Sequence, residues 1–138
     1  MPDKIVLDSN VIAAIFFRED GVSEVAEKIV EEYTSYYTFD FAIAEITNVA
    51  WKKVVFDREP IEIVEDGLKK SIEFITSVCE VVSSAELYNA AFKIAVERNI
   101  SAYDSLFVAL SAKYNLPLAT ADKKMFEKVD NGILVRQK

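Results

Sequence analysis

Close to the N-terminus, the apolar run Ile5-Val6-Leu7 stops abruptly at an acid, Asp8. Fully buried parallel strands are continuous hydrophobic runs, whereas half-buried strands alternate. The run therefore predicts an interior parallel strand, with Asp8 at its carboxyl edge and a helix following from about Asn10 to Phe17. In open α/β sheets that edge is where ligands bind. The constraint on the remaining chain is which other acids a fold could deliver there. Glu45, Asp104 and Asp122 are the candidates.

Strand-like and helix-like segments alternate along the chain. Val22, Val25, Ala26, Ile29 and Val30 recur at helical spacing and predict a helix from Asp20 to about Tyr33. Tyr36 to Phe39 is aromatic and β-branched, a second strand, with Asp40 placed to cap the next helix. That helix, Phe41 to about Val55, is apolar except for one stripe through Phe41, Glu45, Asn48 and Lys52, and reads as mostly buried. Pro60 suits the first turn of another helix that fades near Ser77. A short strand over 79–82 precedes Ser83-Ser84-Ala85-Glu86, a capping-box pattern opening a helix to about Arg98. The segment 102–110 is apolar almost all round, hence a buried helix, with Asp104 in its first turn. Leu118-Ala119-Thr120 is a fourth strand, Asp122 caps a last short helix, and Ile133-Leu134-Val135 is a fifth strand. The alternation predicts a three-layer α/β/α fold with a mainly parallel, roughly five-stranded central sheet, in one domain over 1–138.

Composition narrows the chemistry. The chain has no His and one Cys, Cys79, so Ser-His-Asp triads, imidazole ligands and thiolate clusters are excluded. Any metal would need oxygen ligands, which selects hard cations such as Mg²⁺ or Mn²⁺. With no pairing partner for Cys79, no apolar run near the roughly 20 residues of a membrane span and no signal-like leader, a cytoplasmic setting and no membrane partner are expected. The net charge of −7 argues against coating nucleic acid by bulk electrostatics. It does not exclude a nuclease, because clustered metal-binding carboxylates themselves add negative charge. Lys123, Lys124, Lys128, Arg136 and Lys138 gather at the C-terminal end, and Lys52, Lys53 and Arg58 form a second group. Both read either as solvated helix faces or as phosphate contacts.

Each acid also has a modest explanation. Asp8 and Asp122 would cap helices, Asp104 would complete the capping box Ser101-x-x-Asp104, and Glu45 with Asn48 would line a thin wet stripe. Together the pattern is more pointed. Asp8 and Asp122 both follow short apolar strands, Asp104 opens a buried helix, and Glu45 interrupts an apolar one. Carboxylates gathered in one cleft repel one another and raise their own pKa values unless a cation sits among them.

These residues resemble the PIN-domain family, and within it the small toxin ribonucleases of the VapC type. The resemblance spans the chain. It rests on Leu7-Asp8-Ser9-Asn10, on Ala44-Glu45-Ile46, on the segment Ser101-Ala102-Tyr103-Asp104-Ser105 with its apolar continuation, and on Thr120-Ala121-Asp122. It implies Asp8, Glu45, Asp104 and Asp122 as catalytic and metal-holding acids, with Asn10, Ser9, Thr120 and Asn48 supporting them. Ser9 stands where the family often has Thr, which keeps the hydroxyl. The implied activity is Mg²⁺- or Mn²⁺-dependent hydrolysis of RNA phosphodiester bonds, in which the ion lowers the pKa of a bound water and stabilises charge on the phosphate. The implied partners are an RNA substrate, a small antitoxin whose tail occupies the acidic cleft, and a second copy in a homodimer.

Two other phosphate-handling folds fit less well. A haloacid-dehalogenase-like phosphatase needs Asp-x-Asp after its first strand, where this chain has Asn10, and a receiver domain needs an acidic pair there. The alternative of a different class is a catalytically silent PIN-like module that binds RNA or protein. The presence of all four acids weighs against it, since a binding-only module has no need of repelling carboxylates held together.

Overall fold

The structure, a computed structural model, describes residues 3–136. Lys138 of the basic group therefore lies outside the described residues. The first apolar run forms β1 (Lys4–Leu7), whose last three residues are fully buried. It lies in the middle of a wholly parallel five-stranded sheet of order β3-β2-β1-β4-β5, with β2 at Ser35–Phe39, β3 at Glu80–Val82, β4 at Leu118–Thr120 and β5 at Gly132–Leu134. The three-layer parallel α/β/α expectation is met.

The strand order carries a functional consequence. From β1 the chain steps one way to β2 and β3, then returns to lay β4 on the other flank of β1. Right-handed crossovers taken in opposite directions put their helices on opposite faces of the sheet. One set is α1 (Ser9–Phe16), α2 (Ser23–Glu32), α3 (Ala42–Val55) and α4 (Ile61–Ser77), and the other is α5 (Ser84–Arg98) and α6 (Ala102–Tyr114). The connections diverge between β1 and β4, which opens a crevice at their carboxyl ends. The core beneath it includes Phe39 and Phe107, both fully buried and packed edge to face with centroids 4.5 Å apart.

Several local expectations need correction. Helix α2 begins at Ser23 rather than Asp20, because Arg18 and Gly21 take positive φ (54° and 78°) and turn the chain sharply first. Asp40 does not cap α3. Its carboxylate accepts from the backbone N–H and hydroxyl of Ser84 (3.1 and 3.3 Å), tying the end of β2 to the start of α5. Ser83 caps α5 without forming the box: its Oγ accepts from Ala85 N–H (3.1 Å) rather than from Glu86 N–H, and the Glu86 side chain pairs with Lys113 (3.3 Å). Helix α3 is not mostly buried. Ala42, Ile46 and Ala50 face the core, whereas Trp51 and Val55 are about half exposed at 51% and 49%. In α3 apolarity signals a second surface as well as a core face. The lysine beside it, Lys53, is structural: it bridges Glu19 (3.7 Å) and Glu59 (3.6 Å) and lies over the Phe17 ring.

Cys79 is half-buried, and burial pushes its thiol up to about 12, so it carries no reactive thiolate at neutral pH. No helix among the described residues is long and apolar enough to cross a membrane.

Candidate active site

Asp8 leaves β1 at the crevice, only 4% exposed. It caps α1, accepting from Asn10 N–H (3.4 Å), and its second oxygen accepts from Thr120 Oγ1 (2.9 Å) and Asn10 Nδ2 (3.3 Å). Thr120 ends β4, so this network joins the exits of the two adjacent strands. Asn10 completes the seam: its side-chain oxygen accepts from Ala121 N–H (3.0 Å). Thr120 Oγ1 in turn accepts from Asp122 N–H (3.1 Å), and the Asp122 carboxylate accepts from Lys124 and Met125 N–H at the start of α7 (Lys123–Phe126). The capping roles of Asp8 and Asp122 are real, and they leave oxygen capacity spare, since a carboxylate offers about four lone-pair sites.

Glu45 approaches from α3. Ser9 Oγ lies 3.2 Å from Glu45 Oε1 and 3.3 Å from Asp8 Oδ1, so one hydroxyl proton bridges two carboxylates. Asp104 sits in the first turn of α6, whose cap, Ser101 Oγ, accepts from Asp104 N–H (3.1 Å). Asp104 and Asp122 line the same cleft of ≈ 200 Å³, together with Ser101, Lys124, Met125 and Lys128. The expected acids thus gather at one sheet edge. Asn48 does not join them: it is exposed on α3, outside the hydrogen-bond network of the carboxylates.

The electrostatics tie the group into one unit. Burial pushes Asp8 up to about 6, against the lowering effect of the Thr120 hydrogen bond, and the charge of Asp104 raises it further. Burial likewise takes Glu45 to about 7, with the charges of Asp8 and Asp104 adding to it. Asp104 is also raised, by burial first and then by the charge of Asp122. Each acid feels another, from Glu45 through Asp8 and Asp104 to Asp122. Near neutral pH such a group carries shared protons unless a cation replaces them.

No three of the acids close into a tight cage among the described residues. They stand as two pairs, Asp8 with Glu45 across Ser9, and Asp104 with Asp122 across the cleft. That arrangement fits a hard cation that keeps much of its water and takes one or two carboxylates plus substrate phosphate, as Mg²⁺ does.

The family model described as PIN domain matches residues 5–132, from β1 into β5. This chain belongs to the PIN-domain family. As a PIN domain it is 32% identical over 125 residues to Ribonuclease VapC3 of Pyrobaculum aerophilum, a match covering 91% of this chain and 94% of the relative. The crystal structure of PAE2754 from the same organism superposes with a TM-score of 0.74 at 22% identity, covering 98% of this chain and 92% of that one. A toxin–antitoxin complex from Klebsiella pneumoniae superposes with a TM-score of 0.72 at 13% identity, covering 97% and 99%. The resemblance read from the sequence is confirmed at the level of family and fold.

One aromatic pair beside these acids has no signal in the sequence. Phe41, one turn before Glu45, stacks on Tyr103, next to Asp104, with centroids 5.1 Å apart and planes 15° from parallel. Sixty-two positions separate the two residues, and no local pattern announces their contact.

Proposed function

We propose that this PIN domain is a metal-dependent endoribonuclease and the toxin of a VapBC-type toxin–antitoxin pair. The observation that carries the reading is the convergence of Asp8, Glu45, Asp104 and Asp122 at one crevice, where burial and neighbouring charge raise the pKa values of Asp8, Glu45 and Asp104. The relationship to Ribonuclease VapC3 over nearly all of both chains supports RNA as the substrate.

Asp8, Glu45, Asp104 and Asp122 would hold Mg²⁺ or Mn²⁺, which supplies water activation and charge neutralisation at the phosphate. The protein's own contributions follow from the geometry. Thr120 and Asn10 fix the Asp8 carboxylate between the two strand exits, which limits reorganisation when charge develops. Ser9 holds Glu45 against Asp8, its hydroxyl lying within hydrogen-bond distance of both carboxylates, so the two acids stay oriented toward one position.

The partners are proposals of the same kind. A row of exposed side chains on α5, Tyr88, Phe92 and Val96 at 66–69% exposure, supports self-association as a homodimer. The structural likeness to a toxin–antitoxin complex supports a small antitoxin partner, with its tail in the acidic cleft. A cytoplasmic location agrees with this role.

Cleavage of an end-labelled RNA pool tests the activity. Fragments are expected with Mn²⁺, none with EDTA, and none with Asp104→Asn. Cleavage that survives EDTA, or that Asp104→Asn performs at the wild-type rate, overturns the reading.

A further inference from the structure

Two partly exposed aromatic rings adjoin the acids along the chain, Phe41 one turn before Glu45 and Tyr103 next to Asp104. Four rings form a ladder from core to solvent. Phe107 and Phe39 are fully buried, Phe39 packs on Phe41 (6.4 Å, 27°), and Phe41 packs on Tyr103 (5.1 Å, 15°). Exposure rises to 40% at Phe41 and 55% at Tyr103. The buried end anchors the outer rings, so the ledge is rigid.

Its position relative to the acids follows from strand order. Phe41 comes directly after β2, Asp8 after β1, and Lys124 and Lys128 belong to the segment after β4, in the order β2-β1-β4. The aromatic ledge therefore flanks the carboxylates on one side, and the two lysines flank them on the other. Asp104 belongs to both borders, adjoining Tyr103 in sequence and lining one cleft with Lys124 and Lys128. Lys128 Nζ donates to Asn99 O (3.1 Å), which holds it in place with its charge uncompensated by that carbonyl. In a chain of net charge −7, Lys124 and Lys128 are the cations that line this cleft and so the groups there that can pair with a phosphate.

We propose that Tyr103 and Phe41 form a stacking platform for one unpaired nucleobase, while Lys124 and Lys128 hold the backbone phosphates, so that a single strand lies across the acids. The inference rests on the ribonuclease reading and narrows its substrate to RNA whose target nucleotide is unstacked. A base within a duplex keeps its faces covered by its neighbours and cannot lie on the ledge. Tyr103 and Phe41 are positioning residues: they fix which phosphodiester meets the carboxylates.

Binding measured without turnover tests this independently of catalysis. The full chain is titrated into a labelled single-stranded oligoribonucleotide with Ca²⁺ in place of Mn²⁺, and anisotropy is read across salt concentrations, with the RNA shown intact on a gel. Loss of a base–aromatic stack weakens binding by about 5- to 150-fold. Tyr103→Ala is expected to show that loss and Tyr103→Phe to restore affinity. An oligonucleotide carrying an abasic position at the ledge is expected to bind wild type as weakly as the intact strand binds Tyr103→Ala, with no further loss on combining the two. The double variant Lys124→Ala with Lys128→Ala should reduce the salt slope by about 1.4, or about 0.7 for each phosphate no longer held. Equal weakening on duplex and single-stranded RNA overturns the platform. So does an unchanged affinity for Tyr103→Ala, or a change confined to its oligomeric state by size-exclusion chromatography. Metal-dependent cleavage with an insensitive Tyr103→Ala sinks the platform alone; binding with this pattern but no cleavage of any RNA sinks the nuclease reading alone.

Discussion

Replacing Asp8 by Asn should make the metal-free protein more stable at alkaline pH while removing its activity. Asp8 is 4% exposed and is pushed from 3.8 to about 6 by burial, with Asp104 adding repulsion. A folded-state pKa above the unfolded one means that the folded chain binds the proton more tightly. The resulting stability is fully present below pH 3.8 and is lost as pH rises through about 6. With these two values the ionisation of Asp8 costs about 0.5 kcal/mol at pH 4 and about 3 kcal/mol at pH 8. Asn has nearly the same shape and cannot ionise. The stability difference between Asp8→Asn and wild type should therefore move by about 2.5 kcal/mol in favour of the variant between pH 4 and pH 8. For a domain of this length that corresponds to roughly 10 °C in Tm. Glu45 and Asp104, the charged groups that face Asp8, remain in both proteins; the Asp8 charge helps to raise Glu45, so its loss eases the ionisation of Glu45 and moves the difference in the same direction. Urea unfolding in EDTA at the two pH values measures the difference. Adding Mn²⁺ at pH 8 should reverse the order, because an ion that binds the folded wild type more tightly stabilises it selectively. A difference independent of pH, or a wild type more stable than the variant at pH 8 in EDTA, would refute the reasoning.

Two further outcomes follow from the packing. Thr120→Val removes the hydroxyl that donates to Asp8 (2.9 Å) and accepts from Asp122 N–H (3.1 Å), so stability should fall by about 1–3 kcal/mol and Asp8 should titrate at higher pH. Carboxyl ¹³C shifts followed against pH check this, and an unchanged or lowered Asp8 midpoint would contradict it. Gly67→Ala puts a methyl 2.7 Å from Phe17 Cδ1 and 3.1 Å from the carbonyl oxygen of Phe16, and overpacking where α4 crosses the end of α1 should cost about 1–3 kcal/mol. Thermal unfolding of the variant at or above the wild-type Tm would show that this contact yields more easily than the geometry says.

Much of the site is legible in the sequence because its elements announce themselves locally. Ile5-Val6-Leu7-Asp8 and Leu118-Ala119-Thr120 carry the mark of interior parallel strands, and Ser101 and Asp122 carry the mark of helix caps. Asp40 shows the limit of that logic. Its position predicts a cap for the adjacent helix, yet its carboxylate serves a helix 44 residues away, because the end of β2 happens to face the start of α5. Asn48 shows the same limit in reverse. Helical spacing sets it near Glu45, but only the tilt of α3 against the sheet decides which of the two reaches the acids.

Periodicity, capping and composition determined the class of fold, the range of possible chemistry and which four acids are candidates, all of which depend on short-range order and on which residues are absent. A chain without His and with one Cys can gather hard cations only through oxygen, whatever its shape. The tertiary structure alone decided which strand exits adjoin, how Ser9 and Thr120 couple the carboxylates, and that Phe41 and Tyr103 meet at the edge of the cleft. Those contacts depend on the return of β4 to the free flank of β1. Such long-range pairing is selected by burial of the whole core, so it leaves no signature within any one stretch of sequence.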